Sequence, residues 1–446
     1  MNSLGIWLIT NDLRLNNEAL AEALNECSTV LPLFIWDEKI RRCSANSNKA
    51  SFYNEAVKDL RKEISRLNGQ IITIEGDTQE ILLNLQRKYN FKKIYCQQNV
   101  NPKFNDLIKR ISTKFDIKTY NTSYVSDFNN VVKDDGSPFL TFSSFARGWF
   151  KKDNDISSKS FKITKFKNIE VLNENNFKPP LNRTPFKGSS NFAEKKLGLF
   201  IENNIKSYQS KRNRLDLDGT SMISAYINSG MLDIKHVFNL AINAGNNSGV
   251  NSWVNELLWR EFNAYIMFHF PDILDSSFKN KLQDYPWEKN NLFLDYWKNG
   301  LTGYSCVDAC MRQLLELGWM HNRGRMIVAS FLTKDLFIHW KEGEKWFMEN
   351  LVDADTPSNV GGWQWTAGTG VDAAPYFRIF NPILQGKKFD PKGIYIKKWI
   401  PELRNIDTKY IHDPSSYDLD LSYPKQIVLH EDSRKKALFN FNLEKY

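Results

Sequence analysis

Residues 353–382 combine polar side chains with glycines and large aromatic rings. The carboxylates Asp353 and Asp355 precede the amide Asn359, and Trp363 and Trp365 follow it. Glycines at positions 361, 362, 368 and 370 surround the two tryptophans. Because glycine lets the backbone pass very close to large rings, this pattern predicts a loop packed against aromatic groups. Two interpretations are open: a site for a flat aromatic ligand, or a structural loop whose charges pair with one another.

Residues 251–270, NSWVNELLWREFNAYIMFHF, place polar groups on one face of a predicted helix. Trp253, Glu256, Arg260 and Asn263 follow one another at spacings of three and four, which matches the period of an α-helix. Burying charge is costly unless the charge is paired and hydrogen-bonded, so this otherwise apolar face predicts contact with a ligand. A purely structural Glu256–Arg260 ion pair is the alternative.

A third polar cluster lies in residues 208–230 and predicts an anion site. Thr220, Ser221 and Ser224 follow a loop that ends at Gly219. Hydroxyls and unpaired backbone N–H groups at the start of a helix can bind an anion. Ordinary N-capping explains one of these hydroxyls but not all of them.

The elements that must position these groups fall into two classes. Apolar runs at residues 5–10, 29–36, 70–75 and 93–97 alternate with helical patterns, which predicts a doubly wound parallel sheet over residues 1–150. No GxGxxG or GxxxxGK[ST] motif follows these runs, so a standard dinucleotide or P-loop site is not supported. Residues 151–190 are rich in Lys, Asn, Ser and Pro and predict a solvated connector between domains, and residues 191–446 predict a largely α-helical domain.

Composition narrows the class of protein. The net charge of +9 and the pI near 9.0 favour a polyanionic partner. The five cysteines show no paired metal or redox spacing, so no metal site is predicted and the thiols are expected to be reduced. The sequence shows no signal peptide and no apolar segment near membrane-spanning length, which predicts a cytoplasmic protein.

The segments NVGGWQW and AGTGVDAAPYFRIFNPILQGKKFDP closely resemble the signature of the DNA photolyase and cryptochrome family, in particular the class I cyclobutane pyrimidine dimer photolyases. The resemblance implies a Rossmann-like α/β domain and an all-α domain that binds FAD. It implies a monomeric deoxyribodipyrimidine photo-lyase that repairs cyclobutane pyrimidine dimers in DNA, by electron transfer from excited reduced FAD to a flipped-out dimer. A cryptochrome, with the same fold and flavin but no repair, is the alternative. A flavin or nucleic-acid binding protein without catalysis is a second one.

The resemblance also implies roles for individual residues. Those implied to contact FAD are Tyr208, Arg212, Thr220, Ser221, Ser224, Trp253, Glu256, Arg260, Asn263, Asn322, Arg325, Asp353, Asp355 and Asn359. Those implied in catalysis are Glu256, Asn359 and an electron-transfer chain of Trp363, Trp340 and Trp287. Those implied to contact DNA are Trp259, Asn322, Met326, Trp365 and Arg378.

Particular side chains favour repair of cyclobutane dimers within the family. The related six-four photolyases carry histidines at the positions of Asn322 and Met326. Asn359 would lie beside flavin N5, where many plant cryptochromes have Asp and animal ones Cys, and an amide there avoids charge repulsion with anionic reduced flavin. Arg325 is expected to pair with Asp353, and Asp355 to accept a hydrogen bond from flavin N3.

The same resemblance extends to the N-terminal domain through NDLR at residues 11–14 and the segment 131–150. In the family this domain can hold a light-harvesting second chromophore. This chain has Leu8, Ile9 and Thr10 where the family usually has Trp-Phe-Arg, and QQNVNPKFND has no early carboxylate. The second chromophore is therefore left open between folate, deazaflavin, another flavin and none.

Overall fold

The computed structural model describes residues 4–152, 156–167, 176–279, 287–375, 378–417 and 422–440. The chain divides into two compact units. The first comprises Met1–Lys206, Ser221–Pro271 and Val352–Pro357, and the second comprises Ser207–Thr220, Asp272–Leu351 and Ser358–Tyr446. The domain boundaries near residues 150 and 190 stay predictions.

A five-stranded parallel sheet forms the centre of the first unit. Its strands are β1 Leu4–Ile9, β2 Thr29–Trp36, β3 Ile72–Glu75, β4 Lys93–Gln97 and β5 Asp116–Tyr120. The strand order is β3-β2-β1-β4-β5, with Ile6 opposite both Leu31 and Ile94. The predicted parallel α/β class and four of the strands are confirmed. The fifth strand was not predicted, because its short alternating sequence DIKTY carries little apolar signal.

Helices connect the strands and form most of the remaining structure. In the first part of the chain they are α1 Glu18–Glu26, α2 Glu38–Arg41, α3 Asn48–Arg66, α4 Thr78–Tyr89, α5 Pro102–Ile111, α6 Phe142–Lys151, α7 Ser190–Asn203, α8 Tyr208–Lys211, α9 Ser224–Asn228, α10 Ile234–Asn243 and α11 Ser248–His269. Later in the chain they are α12 Asn291–Asn299, α13 Ser305–Leu317, α14 Asn322–Ser330, α15 Trp340–Asn350, α16 Thr356–Ala367, α17 Pro382–Phe389, α18 Ile394–Trp399 and α19 His430–Asn440. A π-helix, Phe331–Asp335, directly follows α14.

Local sequence explains where several helices begin. Ser47, Asp77 and Asn101 accept backbone N–H groups at the starts of α3, α4 and α5, as capping residues do. Proline at the first position of α5 adds to this, since its backbone has no N–H to satisfy. The apolar sides of the strands and of α4 and α5 share one core, in which Ile6, Leu33 and Ile94 are fully buried.

Most of the described residues in the predicted connector, residues 151–190, are exposed, but some of its phenylalanines are buried. Phe177 is buried and stacks on Trp36 with ring centroids 5.2 Å apart. Phe166 is buried as well, and its N–H donates to the carbonyl of Leu67. The solvated connector therefore stays a prediction for residues 151–190, within which a few phenylalanines are buried.

The first part of the stretch predicted to be an aromatic loop forms a helix. α16 spans Thr356–Ala367 and includes Asn359, Trp363 and Trp365. Two glycines within α16 lower its helix propensity, so the helix was not recognised from the sequence. Residues 376 and 377 of the same stretch lie outside the described residues.

In the described part of the chain, none of the helices has the length and apolar character needed to cross a membrane.

Candidate cofactor and DNA site

The predicted site residues belong to both units, and each set is described within its own unit. In the first unit, residues 353–355 are held by side chains from distant elements. Ser224 Oγ donates to Asp353 Oδ2 at 2.6 Å, and Asn228 Nδ2 donates to the Asp353 carbonyl at 2.6 Å. Lys49 Nζ donates to the carbonyl of Ala354 at 2.7 Å. The segment is therefore fixed on both sides before any ligand is bound.

Lys49 was missed by sequence reasoning, because it lies 305 residues from Ala354 and has no motif around it. It is buried, and burial lowers the pKa of its ammonium group, while Asp355 and Asp353 act in the opposite direction. Asp353 is buried and Asp355 is half-buried. This pair of carboxylates thus has a cation of its own unit close by.

Ser224 is the first residue of α9, and Thr220 and Ser221 lie in the irregular chain that precedes that helix. The helix has no side-chain cap, and the Ser224 hydroxyl instead donates to Asp353. The prediction that all three hydroxyls sit at a helix opening was therefore wrong for Thr220 and Ser221. Both are half-buried in the loop that leads into α9.

The helix predicted over residues 251–270 is confirmed as α11. Arg260 Nη1 donates to the Ser123 carbonyl at 2.8 Å, and the guanidinium lies 5.1 Å from the centroid of the Tyr124 ring. Trp253 is buried against Phe200. Glu256 and Asn263 are half-buried on the same helix. The predicted polar face thus exists, and Arg260 is held by protein groups of its own unit.

Glu261, also on α11, is a buried carboxylate that the sequence did not single out. It is fully buried and accepts the backbone N–H groups of Val125 and Ser126. Burial raises the pKa of this carboxyl to about 7, with Arg260 and the two N–H groups opposing the rise. Its contacts stabilise the chain after β5, which gives it a structural role.

In the second unit, α15 fixes the orientation of the Asn359 amide. Asn359 Nδ2 donates to the Glu344 carbonyl at 2.9 Å and to Glu344 Oε1 at 3.0 Å. Both partners are acceptors, so the nitrogen of the amide must face Glu344. Asn359 Oδ1 is thereby presented on the other side as a hydrogen-bond acceptor. Glu344 is fully buried and was not predicted.

Arginines of the second unit form a group around His321. Burial lowers the pKa of His321 to about 4, and Arg323, Arg325 and Arg212 lower it further. The imidazole accepts the N–H of Arg323 at the start of α14, so it caps that helix while neutral. The Arg323 guanidinium lies over the Phe389 ring and donates to Asn213. Such a concentration of positive charge suits a polyanionic ligand.

Arg323 was not among the predicted site residues, whereas the nearby Arg325 and Arg212 were. Arg325 Nε donates to the Met320 carbonyl at 2.9 Å, and the Arg212 guanidinium packs on the buried Tyr208 ring. Asn322 is exposed at the start of α14, and Met326 is half-buried one turn later. The predicted Arg325–Asp353 pair stays a prediction.

Arg378 and Trp365, both predicted to contact DNA, are close to each other in the second unit. The exposed Arg378 guanidinium lies 6.0 Å from the centroid of the half-buried Trp365 ring and 5.6 Å from that of Phe380. A cation held against aromatic faces is a suitable contact for phosphate and bases.

The predicted tryptophans are all in the second unit. Trp363 is buried against Phe347 and Trp297, and a Cβ added at Gly343 of α15 would overlap its indole. Trp340 is fully buried at the start of α15, and Trp287 is half-buried. The predicted close approach between a glycine and an aromatic ring is present, but the glycine is Gly343 of α15 and not Gly362, which precedes Trp363.

A small cavity lies at the carboxyl edge of the sheet in the first unit. It measures about 70 Å³ and is lined by the ends of β1 and β2 and by Arg41 and Lys49. The Arg41 guanidinium is enclosed by Phe34, Trp36 and Tyr53, at 4.8 to 5.0 Å from their centroids. Sites for drug-sized ligands measure roughly 300 to 1,000 Å³. The cavity is therefore smaller than the sites that usually hold such ligands.

The donors and acceptors found in the two units match the chemistry of FAD. A flavin dinucleotide needs an acceptor for ring N–H groups, donors for carbonyl oxygens, and cations or hydroxyls for a diphosphate. The acceptor oxygen of Asn359 is fixed by Glu344, and Arg212 and its neighbours supply positive charge. The residues present therefore fit the cofactor that the sequence predicts.

Comparison with known proteins gives consistent results. Residues 253–442 match the family described as FAD binding domain of DNA photolyase, and residues 5–162 match the family described as DNA photolyase. A protein named deoxyribodipyrimidine photo-lyase from Buchnera aphidicola is 33% identical, over 98% of this chain and 96% of its own.

Two solved structures share the fold. A class III photolyase from Agrobacterium tumefaciens aligns with a TM-score of 0.89 at 28% identity, over 100% of this chain and 98% of its own. A cryptochrome from Synechocystis aligns with a TM-score of 0.87 at 26% identity, over 98% of both chains.

Proposed function

This chain belongs to the DNA photolyase family, and on that premise we propose how its residues carry out light-driven repair of cyclobutane pyrimidine dimers in DNA. It is an FAD-dependent photo-lyase, a carbon–carbon lyase. The observation that carries the residue-level proposal is the orientation of Asn359, whose amide nitrogen is committed to Glu344. An amide acceptor held in this way suits a reduced flavin better than a carboxylate would, because two like charges about 4 Å apart repel by roughly 4 kcal/mol at an effective dielectric constant near 20.

The remaining cofactor contacts are proposed from the polar groups of each unit. Ser224 and Asn228 hold Asp353 rigid, and Asp355 follows within the same fixed segment, where it accepts from an N–H of the flavin ring. The hydroxyls of Thr220 and Ser221 and the guanidinium of Arg212 bind the diphosphate. When bound, reduced FAD supplies, after light absorption, the electron that splits the cyclobutane ring.

Tyr208, Arg212, Arg325 and Asn322 are proposed FAD contacts in the second unit, and Trp253, Glu256, Arg260 and Asn263 in the first. Glu256 is proposed to contact the lesion as well. A carboxyl side chain there hydrogen-bonds pyrimidine groups that have lost their base-pairing partners. Asn359 and Glu256 therefore act at different parts of the reaction.

DNA binding is proposed to use charge and stacking together. Arg323 and Arg378 contact phosphates, since neutralising phosphates with arginine releases counterions and gives affinity independent of sequence. Trp259, Met326 and Trp365 contact the flipped dimer. A dimer pairs poorly within the duplex, which lowers the few kcal/mol that flipping costs and gives part of the selectivity.

Trp363, Trp340 and Trp287 are proposed to pass electrons inward when the cofactor has to be reduced. Trp363 and Trp340 are almost fully buried and Trp287 is half-buried. That gradient of exposure suits a path between the interior and solvent. A reductant in solution, such as a thiol, restores the outermost ring.

The test is repair of DNA that contains cyclobutane dimers, assayed with purified FAD-loaded protein under blue light and in darkness. We expect dimers to be lost in light and retained in darkness. A cryptochrome, the alternative with the same fold, would absorb blue light and leave the dimers intact.

Arg323→Gln, with exposed Lys345→Gln as control, should weaken DNA binding and reduce the salt dependence of that binding.

The second chromophore stays open between folate, deazaflavin, another flavin and none. We propose that the protein acts as a monomer in the cytoplasm. All five cysteines are buried free thiols, which suits a reducing compartment. Light scattering of the purified protein measures the oligomeric state.

A further inference from the structure

The ring of His339 contacts two of the tryptophans proposed to carry electrons. His339 and Trp340 have ring centroids 5.6 Å apart with planes inclined by 28°. His339 and Trp287 have centroids 5.1 Å apart with planes inclined by 67°. A continuous line of rings therefore runs from Trp287 through His339 to Trp340, all within the second unit.

The position of His339 is fixed by the start of α15. Its Nδ1 accepts the backbone N–H of Lys341 at 3.1 Å, which makes it the N-cap of that helix. Because Nδ1 accepts this hydrogen bond, the proton of the neutral ring is on Nε2. Burial lowers the pKa of His339, and Lys341 lowers it further against the opposing effect of Glu342. The ring is thus neutral near pH 7 and held at a constant angle.

We propose that His339 is a positioning residue which couples Trp287 to Trp340 for electron transfer. Tunnelling between two rings is faster through atoms in contact than across a gap, so an aromatic ring that contacts both increases the rate. A neutral ring is needed here, since a protonated imidazole would repel the positive charge that moves along the chain. The proposal rests on the proposed role of the tryptophans in reducing the cofactor.

Among the protein residues, only the tryptophans gain or lose electrons in the proposed transfer. Trp363 gives one electron to excited FAD and is restored by Trp340, which is then one electron short. Trp287 supplies that electron and becomes the oxidised ring. A thiol in solution then gives one electron to Trp287, releases its proton to water and becomes a thiyl radical. His339 is neither oxidised nor reduced, and none of its bonds changes.

Two variants separate the ring of His339 from its helix cap. His339→Asn keeps a capping side chain but removes the ring, whereas His339→Phe keeps a ring and removes the cap. The FAD-loaded proteins are compared by flash photolysis, reading the long-lived tryptophan radical per bound FAD, and by blue-light photoreduction with dithiothreitol. Melting temperatures and FAD content verify that both variants are folded.

We expect His339→Asn to lower the radical yield and the photoreduction rate severalfold, and His339→Phe to stay near the unmodified protein. Equal yields in His339→Asn and the unmodified protein would overturn the proposal. So would a loss in His339→Phe with a normal His339→Asn, since that pattern belongs to the cap. Trp363→Phe is expected to show no long-lived tryptophan radical. If the unmodified protein also shows none, the whole proposed electron chain is wrong, and not only the role of His339.

Discussion

The ring of Phe142 lies parallel to the indole of Trp259, with centroids 3.9 Å apart and planes inclined by 5°. Phe142 is the first residue of α6, and Trp259 lies in the middle of α11. Phe262 packs edge-on against both rings. One face of the Trp259 indole is therefore covered by protein, and a flipped base can stack only on the opposite face.

Phe142→Ala should weaken binding to dimer-containing DNA, because the Trp259 indole would lose the ring that sets its plane. An aromatic pair contributes about 0.5 to 1.5 kcal/mol, so the dissociation constant is expected to rise by up to about tenfold. Phe150→Ala, on the same helix and with its side chain exposed, is the matched control. Fluorescence anisotropy with a dimer-containing duplex measures both. An unchanged affinity in Phe142→Ala would show that the pair does not orient Trp259 for binding.

Asn359→Asp should disfavour reduced FAD and also destabilise the protein locally. The new carboxylate would face Glu344 Oε1, which now accepts from the amide at 3.0 Å. A redox titration of the bound flavin is expected to show a lower reduction potential. The double variant Asn359→Asp/Glu344→Gln removes the repulsion between the two side chains but keeps the charge near the flavin. It should recover thermal stability without recovering the potential; recovery of both would mean that Asn359 acts through Glu344 alone.

Gly343→Ala should displace Trp363, because the added Cβ would overlap the indole. Overpacking of this kind costs about 1 to 3 kcal/mol of unfolding free energy. Gly362→Ala is the control, since a Cβ at that exposed helical position meets no atom within 4 Å and alanine favours helix. Urea unfolding and blue-light photoreduction are the measurements. Similar losses in both variants would contradict the role assigned to Gly343.

Lys334 should give the folding stability a pH dependence in the alkaline range. Burial lowers the pKa of this ammonium group to about 7, and its Nζ donates to the Ala367 carbonyl. Between pH 7 and the unfolded pKa near 10.4, the unfolded state binds more protons, so stability rises with pH by at most about 1.4 kcal/mol per unit. Below pH 7 both states are protonated and the full cost of burying the charge is present.

Lys334→Met should therefore flatten the rise in stability between pH 7 and 9 and increase stability most at the lower end. Urea unfolding at several pH values measures the slope, with the exposed Lys345→Met as control. The titration of Asp335, whose pKa burial raises to about 6, lies below this range. A slope that survives in Lys334→Met would assign the dependence to other groups.

Much of the fold was predictable because secondary structure follows local chemistry. Apolar runs marked β1 to β4, and the three- and four-residue spacing in residues 251–270 marked α11. α16 was missed because glycines masked the helical period, and β5 because its apolar content is low. The motif around Asn359 and Trp363 indicated the family, since these residues are contiguous in the chain.

The sequence by itself determined four of the five strands, helix α11, the class of the protein and the chemical types of its site residues. Only the tertiary structure decided which groups meet: Lys49 with Ala354, Glu344 with Asn359, Phe142 with Trp259 and His339 with Trp287. The physical reason is the distance along the chain over which each kind of interaction acts. Backbone hydrogen bonds within a helix or a strand impose a period that can be read over a few residues, whereas contacts between distant segments depend on how whole elements pack.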